Sequence, residues 1–216
     1  MTRRNIALLF CAVPLWGSVA YFAQPGCRHY WQTSVPLIAH AGGGLPDKIY
    51  PNNLAALDLS ARHGFRLIEL DMQQVNGEIR FGHDQLTDLR LPVLLEWLDR
   101  HPQISIVTDF KTDNVKGLAL LAKLASKQQS QFIPQIYRTE QYRPVLKLGY
   151  GAPIFSVGRH QNPNWVEWVN ANQVRAVTVP LFGVRRDLRP PVFVHSAPVP
   201  LPGFGLYADC IIPEQT

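Results

Sequence analysis

The sequence predicts an α/β protein with a single (β/α)8 barrel of the TIM type, trimmed in its C-terminal third. Eight apolar, β-rich runs alternate with amphipathic helical patterns, and this alternation indicates parallel strands joined by helices. The chain has 216 residues, of which 46% are hydrophobic and 17% charged, so it is long enough to bury one sizeable core. In such a barrel the functional side chains lie at the carboxyl ends of the strands.

The β-rich runs have the lengths of barrel strands. They are 35–40, 66–72, 104–111, 132–137, 153–157, 176–181, 191–195 and 203–209. Amphipathic patterns predict helices at 53–63, 91–101, 115–128 and 165–172. Each predicted helix lies between two predicted strands, as a repeated βα unit requires.

The last third of the chain has little helical signal. The segment 185–191, which leads into the seventh run, has no clear amphipathic pattern. The connection 196–202, which leads into the eighth run, is short and contains three prolines, which oppose a helix. We therefore predict a barrel that lacks at least its seventh helix.

Residues 1–26 differ in composition from the rest of the chain and indicate an export segment. Arg3 and Arg4 precede an uncharged, mostly apolar run at 5–23, which is about long enough to span a bilayer. The two arginines are expected to stay in the cytoplasm, which puts the barrel outside it. We expect a signal anchor in the inner membrane with a periplasmic domain, or a secreted protein if the segment is a cleaved signal peptide.

Residues 27–34 are expected to link this segment to the barrel domain, 35–216. Cys27 and Cys210 lie near the two ends of that folded part, and an extracytoplasmic compartment permits disulfides. Sequence does not give their separation in space, so a Cys27–Cys210 disulfide and two unpaired thiols both stay open.

The formal net charge of +5 does not indicate a nucleic-acid partner. The lysines and arginines are scattered singly or in pairs, without the dense basic patch that binding to a phosphate backbone requires. We therefore expect no nucleic acid among the partners.

Acidic side chains collect at the ends of the second and third predicted strands. Glu69 and Asp71 project to one face of their strand, as do Asp109 and Lys111, because side chains alternate along a strand. Three carboxylates inside a barrel mouth repel one another unless a cation compensates them. Oxygen ligands favour Mg²⁺ or Ca²⁺, so Glu69, Asp71 and Asp109 form a candidate metal site.

Two histidines flank these acids in the sequence. His40 ends the first predicted strand, and His83 follows shortly after the second. Imidazoles on opposite sides of a metal-held phosphate can serve as base and acid in a displacement at phosphorus. His40 and His83 are therefore the candidate catalytic pair.

An ordered set of short motifs resembles the glycerophosphodiester phosphodiesterase family and the wider phosphatidylinositol-phospholipase-C-like phosphodiesterase superfamily. The set is Ile38-Ala-His40-Ala-Gly42, Asn52-Asn53-Leu-Ala-Ala56, Ile68-Glu69-Leu-Asp71, His83-Asp84 and Asp109-Phe-Lys111. The resemblance implies that the two histidines are catalytic, that Glu69 and Asp71 bind the divalent cation and that Lys111 contacts the phosphate.

The sequence departs from the family pattern at three places. Pro51 stands where the family has its first metal-binding glutamate, and Ala41 stands where it has an arginine after the first histidine. The small insertion that normally follows His83-Asp84 is nearly absent. Asn52 could replace the lost glutamate with a neutral oxygen or could cap the following helix, and both readings stay open.

Glu69, Asp71 and Asp109 resemble the metal ligands of the sphingomyelinase D-type phospholipases. Those phospholipases also share an Asp-x-Lys-Thr stretch, which Asp109 to Thr112 matches here. Asn52, Gln135 and His195 are expected to line the pocket, as is Asp209 at the end of the last predicted strand. The resemblance thus implies a metal-dependent phosphodiester hydrolase acting on glycerophosphodiesters or phospholipid headgroups. The alternatives are a cyclising sphingomyelinase D-like phospholipase and an inactive barrel that binds a phosphorylated ligand.

Overall fold

Eight parallel strands close into a barrel in the computed structural model, which describes residues 26–158, 163–195, 197 and 199–214. The strands of this described chain are β1 (Trp31–Thr33), β2 (Leu37–Ala39), β3 (Leu67–Val75), β4 (Glu78–Phe81), β5 (Ser105–Phe110), β6 (Phe132–Ile136), β7 (Ile154–Ser156), β8 (Ala176–Pro180), β9 (Val192–His195), β10 (Gly205–Ala208) and β11 (Ile211–Pro213). The barrel order is β2-β3-β5-β6-β7-β8-β9-β10, and β10 pairs with β2 to close it. The carboxyl ends of these parallel strands meet at one rim, called the mouth below.

Helices cover the outside of the barrel. Those in the described residues are α1 (Leu54–Arg62), α2 (Leu91–Arg100), α3 (Asn114–Leu124), α4 (Tyr142–Lys147) and α5 (Trp165–Ala171). Asn53 and Asp113 cap the N-termini of α1 and α3, because their side chains accept hydrogen bonds from the amides of Ala56 and Lys116. Apolar side chains on the inner faces of the helices pack against the outward side chains of the strands to form the main core.

The barrel interior has an apolar floor and a polar upper layer. Alternate strand residues fill the floor, namely Ile38, Val107, Ile133, Ile154, Phe193 and Tyr207. Two residues further along several strands, the next inward positions carry His40, Asp109, Gln135 and His195. The alternation along each strand thus delivers polar groups to the mouth above a packed interior.

The predicted barrel is confirmed, and all eight β-rich runs are barrel strands. The four predicted helices are present, although α3 ends at Leu124 rather than continuing to residue 128. The sequence patterns missed α4, as well as β1, β4 and β11. Within the described residues, the connections after β8 and β9 contain no α-helix, in line with the predicted trimming; a 3-10 turn at Leu181–Gly183 follows β8.

β3 continues beyond the mouth as a hairpin. It turns back through Asn76 and Gly77, both at positive φ, into the antiparallel β4, where Phe81 pairs with Met72. Asn-Gly suits the tight turns that such hairpins prefer. The hairpin brings the segment that contains His83 back beside Asp71, because the Gly82 amide donates to the Asp71 carbonyl.

Residues 27–34, which precede the barrel, are attached to it at two places. Cys27 forms a disulfide with Cys210, and β1 pairs in parallel with β11 next to it. The disulfide settles the alternative that the sequence left open.

Of the expected export segment, all but Gly26 lies outside the described residues. Within the part of the chain that the structure describes, no helix is both long and apolar enough to span a bilayer.

The disulfide joins residues 183 positions apart, so it restricts the unfolded chain strongly. We expect the double variant Cys27→Ser/Cys210→Ser to lose about 2–4 kcal/mol of unfolding free energy, measured by urea denaturation. A reducing agent should destabilise the wild type and leave the double variant unchanged. Equal urea midpoints for wild type and variant would contradict this prediction.

Candidate active site

Three carboxylates converge at the mouth from two neighbouring strands. Glu69 and Asp71 lie on β3, and Asp71 pairs in register with Asp109 on β5. One oxygen from each of the three lies within 4.8 Å of the others, and Glu69 and Asp71 are each only 1% exposed. The structure thus brings together the three acids that strand alternation predicted.

Most of these carboxylate oxygens have fixed partners. Glu69 Oε2 accepts a hydrogen bond of 2.7 Å from the Ala41 amide, which holds the loop after β2 against the site. Glu69 Oε1 is buried and has no hydrogen-bond partner among the described residues. Burial and the adjacent charge of Asp71 raise the pKa of Glu69. An unpaired buried oxygen beside two further carboxylates fits a divalent cation.

Asn52 binds Asp71 and does not cap the following helix, while the expectation that its oxygen replaces the lost glutamate stays a prediction. Its Nδ2 donates to Asp71 Oδ2 at 2.7 Å, and its Oδ1 accepts from the Asp71 amide at 2.9 Å. The helix cap is the next residue, Asn53. Asn52 has φ 45°, a left-handed conformation that asparagine tolerates better than most residues. Asn52 therefore orients Asp71, and its oxygen is already engaged.

Lys111 lies between two of the acids. Its Nζ is 2.8 Å from Asp71 Oδ1 and 2.8 Å from Asp109 Oδ2. Burial lowers the pKa of Lys111, but the two carboxylates outweigh burial and raise it well above the ordinary value. The side chain therefore stays charged and balances part of the acidic cluster. The expected contact between Lys111 and a phosphate stays a prediction.

His40 lies beside the acids at the end of β2. Its Nε2 is 4.0 Å from Glu69 Oε2, and its Nδ1 is 3.6 Å from Asp209 Oδ2. The ring packs edge-on against Tyr50, with centroids 4.5 Å apart. Burial lowers the pKa of His40, but Asp209 and the nearby carboxylates outweigh burial and raise it to about 9. In this setting His40 carries a proton that it can donate.

His83 lies at the rim. It follows Gly82, whose amide donates to the Asp71 carbonyl at 3.0 Å, so its backbone is close to the acid cluster. Its side chain is 52% exposed, and Nδ1 lies 2.8 Å from Asp84 Oδ1. The side chain of Gln73 holds this turn through a 2.7 Å hydrogen bond to the His83 carbonyl. The structure thus places His83 above the site with its ring on Asp84.

A chain of hydrogen bonds crosses the mouth from Asp109. The Tyr137 hydroxyl donates to Asp109 Oδ1, and Gln135 Nε2 donates to that hydroxyl at 3.1 Å. Tyr207 in turn donates to Gln135 Oε1 at 2.7 Å. The ring of His195 packs against the ring of Tyr207 in a tilted arrangement, with the two centroids 4.3 Å apart. Burial, helped by the charge of His40, lowers the pKa of His195 to about 4, so its imidazole is neutral.

Tyr137 and Tyr207 were not among the predicted site residues, whereas Asp209 was expected to line the mouth. Each tyrosine had a usable signal, because Tyr137 shares its strand face with Gln135, and Tyr207 shares its own with Asp209. Gln135 lies in the hydrogen-bonded layer at the mouth, and His195 ends β9 at the same level. Asn52 is buried against Asp71.

Comparisons with known proteins reveal similarity in the fold. No family model matches the sequence, and no curated protein matches it. A glycerophosphodiester phosphodiesterase from Agrobacterium tumefaciens superposes with a TM-score of 0.57 at 14% identity, over 81% of this chain and 95% of that one. A glycerophosphoryl diester phosphodiesterase from Parabacteroides distasonis superposes with a TM-score of 0.58 at 11% identity, over 91% and 86% of the two chains. The chain shares the fold of these proteins.

The paired hydrogen bonds between Asn52 and Asp71 generate a stability prediction. Asn52→Gly permits the positive φ but leaves a buried amide and a buried carboxylate oxygen without these partners. We expect it to lower the free energy of unfolding by about 1–3 kcal/mol in urea denaturation. Asn53→Gly is the matched control, because replacing a helix N-cap by glycine lowers the free energy of unfolding by only roughly a few tenths of a kcal/mol. Equal losses in the two variants would disprove the role of Asn52.

Proposed function

We propose that this chain is a phosphodiester hydrolase of the glycerophosphodiester phosphodiesterase type that depends on a divalent cation. The observation that carries the proposal is the convergence of Glu69, Asp71 and Asp109 beside His40 and Lys111 at the barrel mouth. The shared fold with glycerophosphodiester phosphodiesterases supports it. Barrel stability does not require three acids so close together, two of them buried, whereas a bound cation would compensate their charge.

Glu69, Asp71 and Asp109 would hold the cation. Their ligands are hard oxygens, which suit Mg²⁺ or Ca²⁺, and the buried Glu69 Oε1 offers a donor atom that the protein leaves unused. A divalent ion bound there supplies positive charge to the phosphoryl oxygens as the transition state forms. Lys111 lies close enough to these acids to bind a further oxygen of the same phosphate.

Proton transfer falls to the histidines. Among the described residues no serine or cysteine is paired with His40, so the attacking group is a hydroxyl of the substrate next to the phosphate. One histidine takes the proton of that hydroxyl as its oxygen bonds to phosphorus, and the other protonates the leaving oxygen as its bond to phosphorus breaks. His40, protonated by its carboxylate neighbours, suits the donor role. His83, whose backbone lies beside Asp71, is the candidate for the other role.

A cyclising reaction of the sphingomyelinase D type is the second candidate. The observation that favours it is the metal set itself, since the third acid comes from β5 rather than from the loop before α1. Attack by a substrate hydroxyl gives a cyclic phosphate, which either leaves as product or is opened by water. An inactive, ligand-binding barrel would agree with the loss of the family's glutamate at Pro51.

We also propose an extracytoplasmic location, with the N-terminal apolar segment at the membrane. The Cys27–Cys210 disulfide supports an oxidising compartment. The apolar run at 5–23, preceded by two arginines, agrees with it. In that position the barrel mouth would meet substrates released from, or held in, the same membrane.

The metal assignment generates a prediction for Asp71→Asn. The substitution keeps the shape and the contacts to Asn52, but it removes a charged ligand, so cation affinity measured by calorimetry should fall by an order of magnitude or more. Turnover of glycerophosphoethanolamine, followed by phosphorus NMR, should fall by roughly 100-fold or more. Asp99→Asn, at an exposed ion pair with Lys127, is the control and should behave as wild type. Unchanged affinity and turnover in Asp71→Asn would exclude this site.

The two-histidine mechanism predicts that His40→Ala and His83→Ala each lose about 100- to 10,000-fold in turnover of glycerophosphoethanolamine. The exposed His29 provides the control, His29→Ala. A glycerol phosphodiester with a 4-nitrophenyl leaving group identifies the acid, because nitrophenolate leaves without a proton. The alanine variant of the histidine that acts as the general acid should therefore hydrolyse this substrate at close to the wild-type rate. A histidine whose alanine variant stays active on both substrates has no part in the mechanism.

A further inference from the structure

The mouth of the barrel has two chemically different halves. The acids and His40 come from β2, β3 and β5. In an eight-stranded barrel with this strand order, β7, β8 and β9 lie directly opposite those three. The residues at the carboxyl ends of β7 and β8 are largely apolar, in contrast to the charged half.

A cleft of about 540 Å³ opens in the apolar half. Its lining includes Val157, Trp165, Pro180, Phe182, Val184 and His195. This volume is within the range of small-molecule sites, which are also mostly apolar with few polar groups. The cleft is therefore large enough for a substantial part of a ligand.

His195 links the cleft to the candidate active site. This residue belongs to the cleft lining and also stacks on Tyr207, whose ring centroid is 5.9 Å from that of His40. In a TIM-type barrel the ligand binds over the mouth, among the loops at the carboxyl ends of the strands. A substituent that extends across the mouth from a phosphate held at the acids would therefore reach the cleft beside His195.

The polar groups around the cleft are already neutral or paired. Burial lowers the pKa of His195 to about 4, so its ring carries no charge near neutral pH. The guanidinium of Arg185 forms hydrogen bonds of 2.6 and 2.8 Å with Asp187. Such walls offer little to a polyol or a charged headgroup, and they favour hydrocarbon.

Large apolar side chains continue from the cleft onto the surface. Phe182 is 88% exposed and Leu181 is 46% exposed, both on the turn that follows β8. Adjacent exposed apolar residues at the edge of an apolar cleft indicate a surface that an apolar ligand covers. The apolar path thus runs from His195 inside the mouth to Phe182 at its edge.

We propose that this cleft binds the hydrocarbon chain of a lipid phosphodiester, so that the preferred substrate carries an alkyl or acyl chain on its glycerol. Water-soluble glycerophosphodiesters are then poorer substrates of the same site. The inference rests on the proposed phosphodiesterase function. It assigns Phe182, Val184 and Trp165 to substrate selection, while the acids and histidines act on the phosphate.

The test uses 1-O-alkyl-glycero-3-phosphates esterified with 4-nitrophenol, with ethyl, hexyl or decyl chains, below the concentrations at which they form micelles. The full chain with Mg²⁺ or Ca²⁺ should show kcat/KM rising by roughly threefold to fourfold for each methylene that enters the cleft. Phe182→Ser and Val184→Asp should flatten this rise. Leu124→Ser on α3, a site with 45% exposure outside the cleft, is the matched control and should retain it.

The outcomes separate the two proposals. Hydrolysis of all three esters with no dependence on chain length would overturn the lipid inference and leave the phosphodiesterase function standing. A chain-length dependence that Phe182→Ser and Val184→Asp leave intact would also overturn it, since the hydrocarbon would then bind elsewhere. If no ester is hydrolysed, the proposed function fails. Calorimetry with ethyl- and decylphosphocholine then decides whether the cleft binds hydrocarbon, and equal affinities would count against it.

Discussion

The close approach of three carboxylates at one rim, two of them buried, is the constraint on which the rest of the structure depends. Negative charges this close together repel one another, and each also loses the hydration it has in water. The protein compensates locally, through the ammonium group of Lys111, the side chain of Asn52, the hydroxyl of Tyr137 and the amide of Ala41. These groups offset only part of the charge, which is the condition under which a cation binds.

The compensating groups come from different segments, so they tie the mouth together. Ala41 belongs to the loop after β2, Asn52 to the loop before α1, Lys111 to the end of β5 and Tyr137 to the end of β6. Each of these loops is held by a polar contact to β3 or β5. A substitution at one loop therefore changes the orientation of a carboxylate as well as local stability. The interactions that stabilise this half of the mouth are the same interactions that shape the candidate site.

Hydrophobic periodicity and strand alternation were sufficient to predict the barrel and its acid cluster, because both depend on local sequence. Asn76-Gly77, between two alternating runs, was a usable hairpin signal for β4. The role of Asn52 was beyond such reasoning, since its partner Asp71 is 19 positions away and a neighbouring asparagine serves equally well as a cap. Tyr137 shows the same limit: its strand face was predictable, but its reach to Asp109 depends on how β6 packs beside β5.

The disulfide has a structural consequence for His40 beyond stability. Cys210 directly follows Asp209, whose carboxylate lies 3.6 Å from the ring of His40 and whose carbonyl accepts a 3.1 Å hydrogen bond from the Gly44 amide. A side chain at Gly44 would collide with the sulfur of Cys27, so the loop after β2 is packed directly against the disulfide. The cross-link thus fixes the loop that leads away from His40 and the strand end that carries its carboxylate partner. The disulfide therefore helps to hold both partners of this ion pair, because Asp209 is adjacent to Cys210 and the loop that follows His40 packs against Cys27. The same cross-link attaches the N-terminal segment to the barrel.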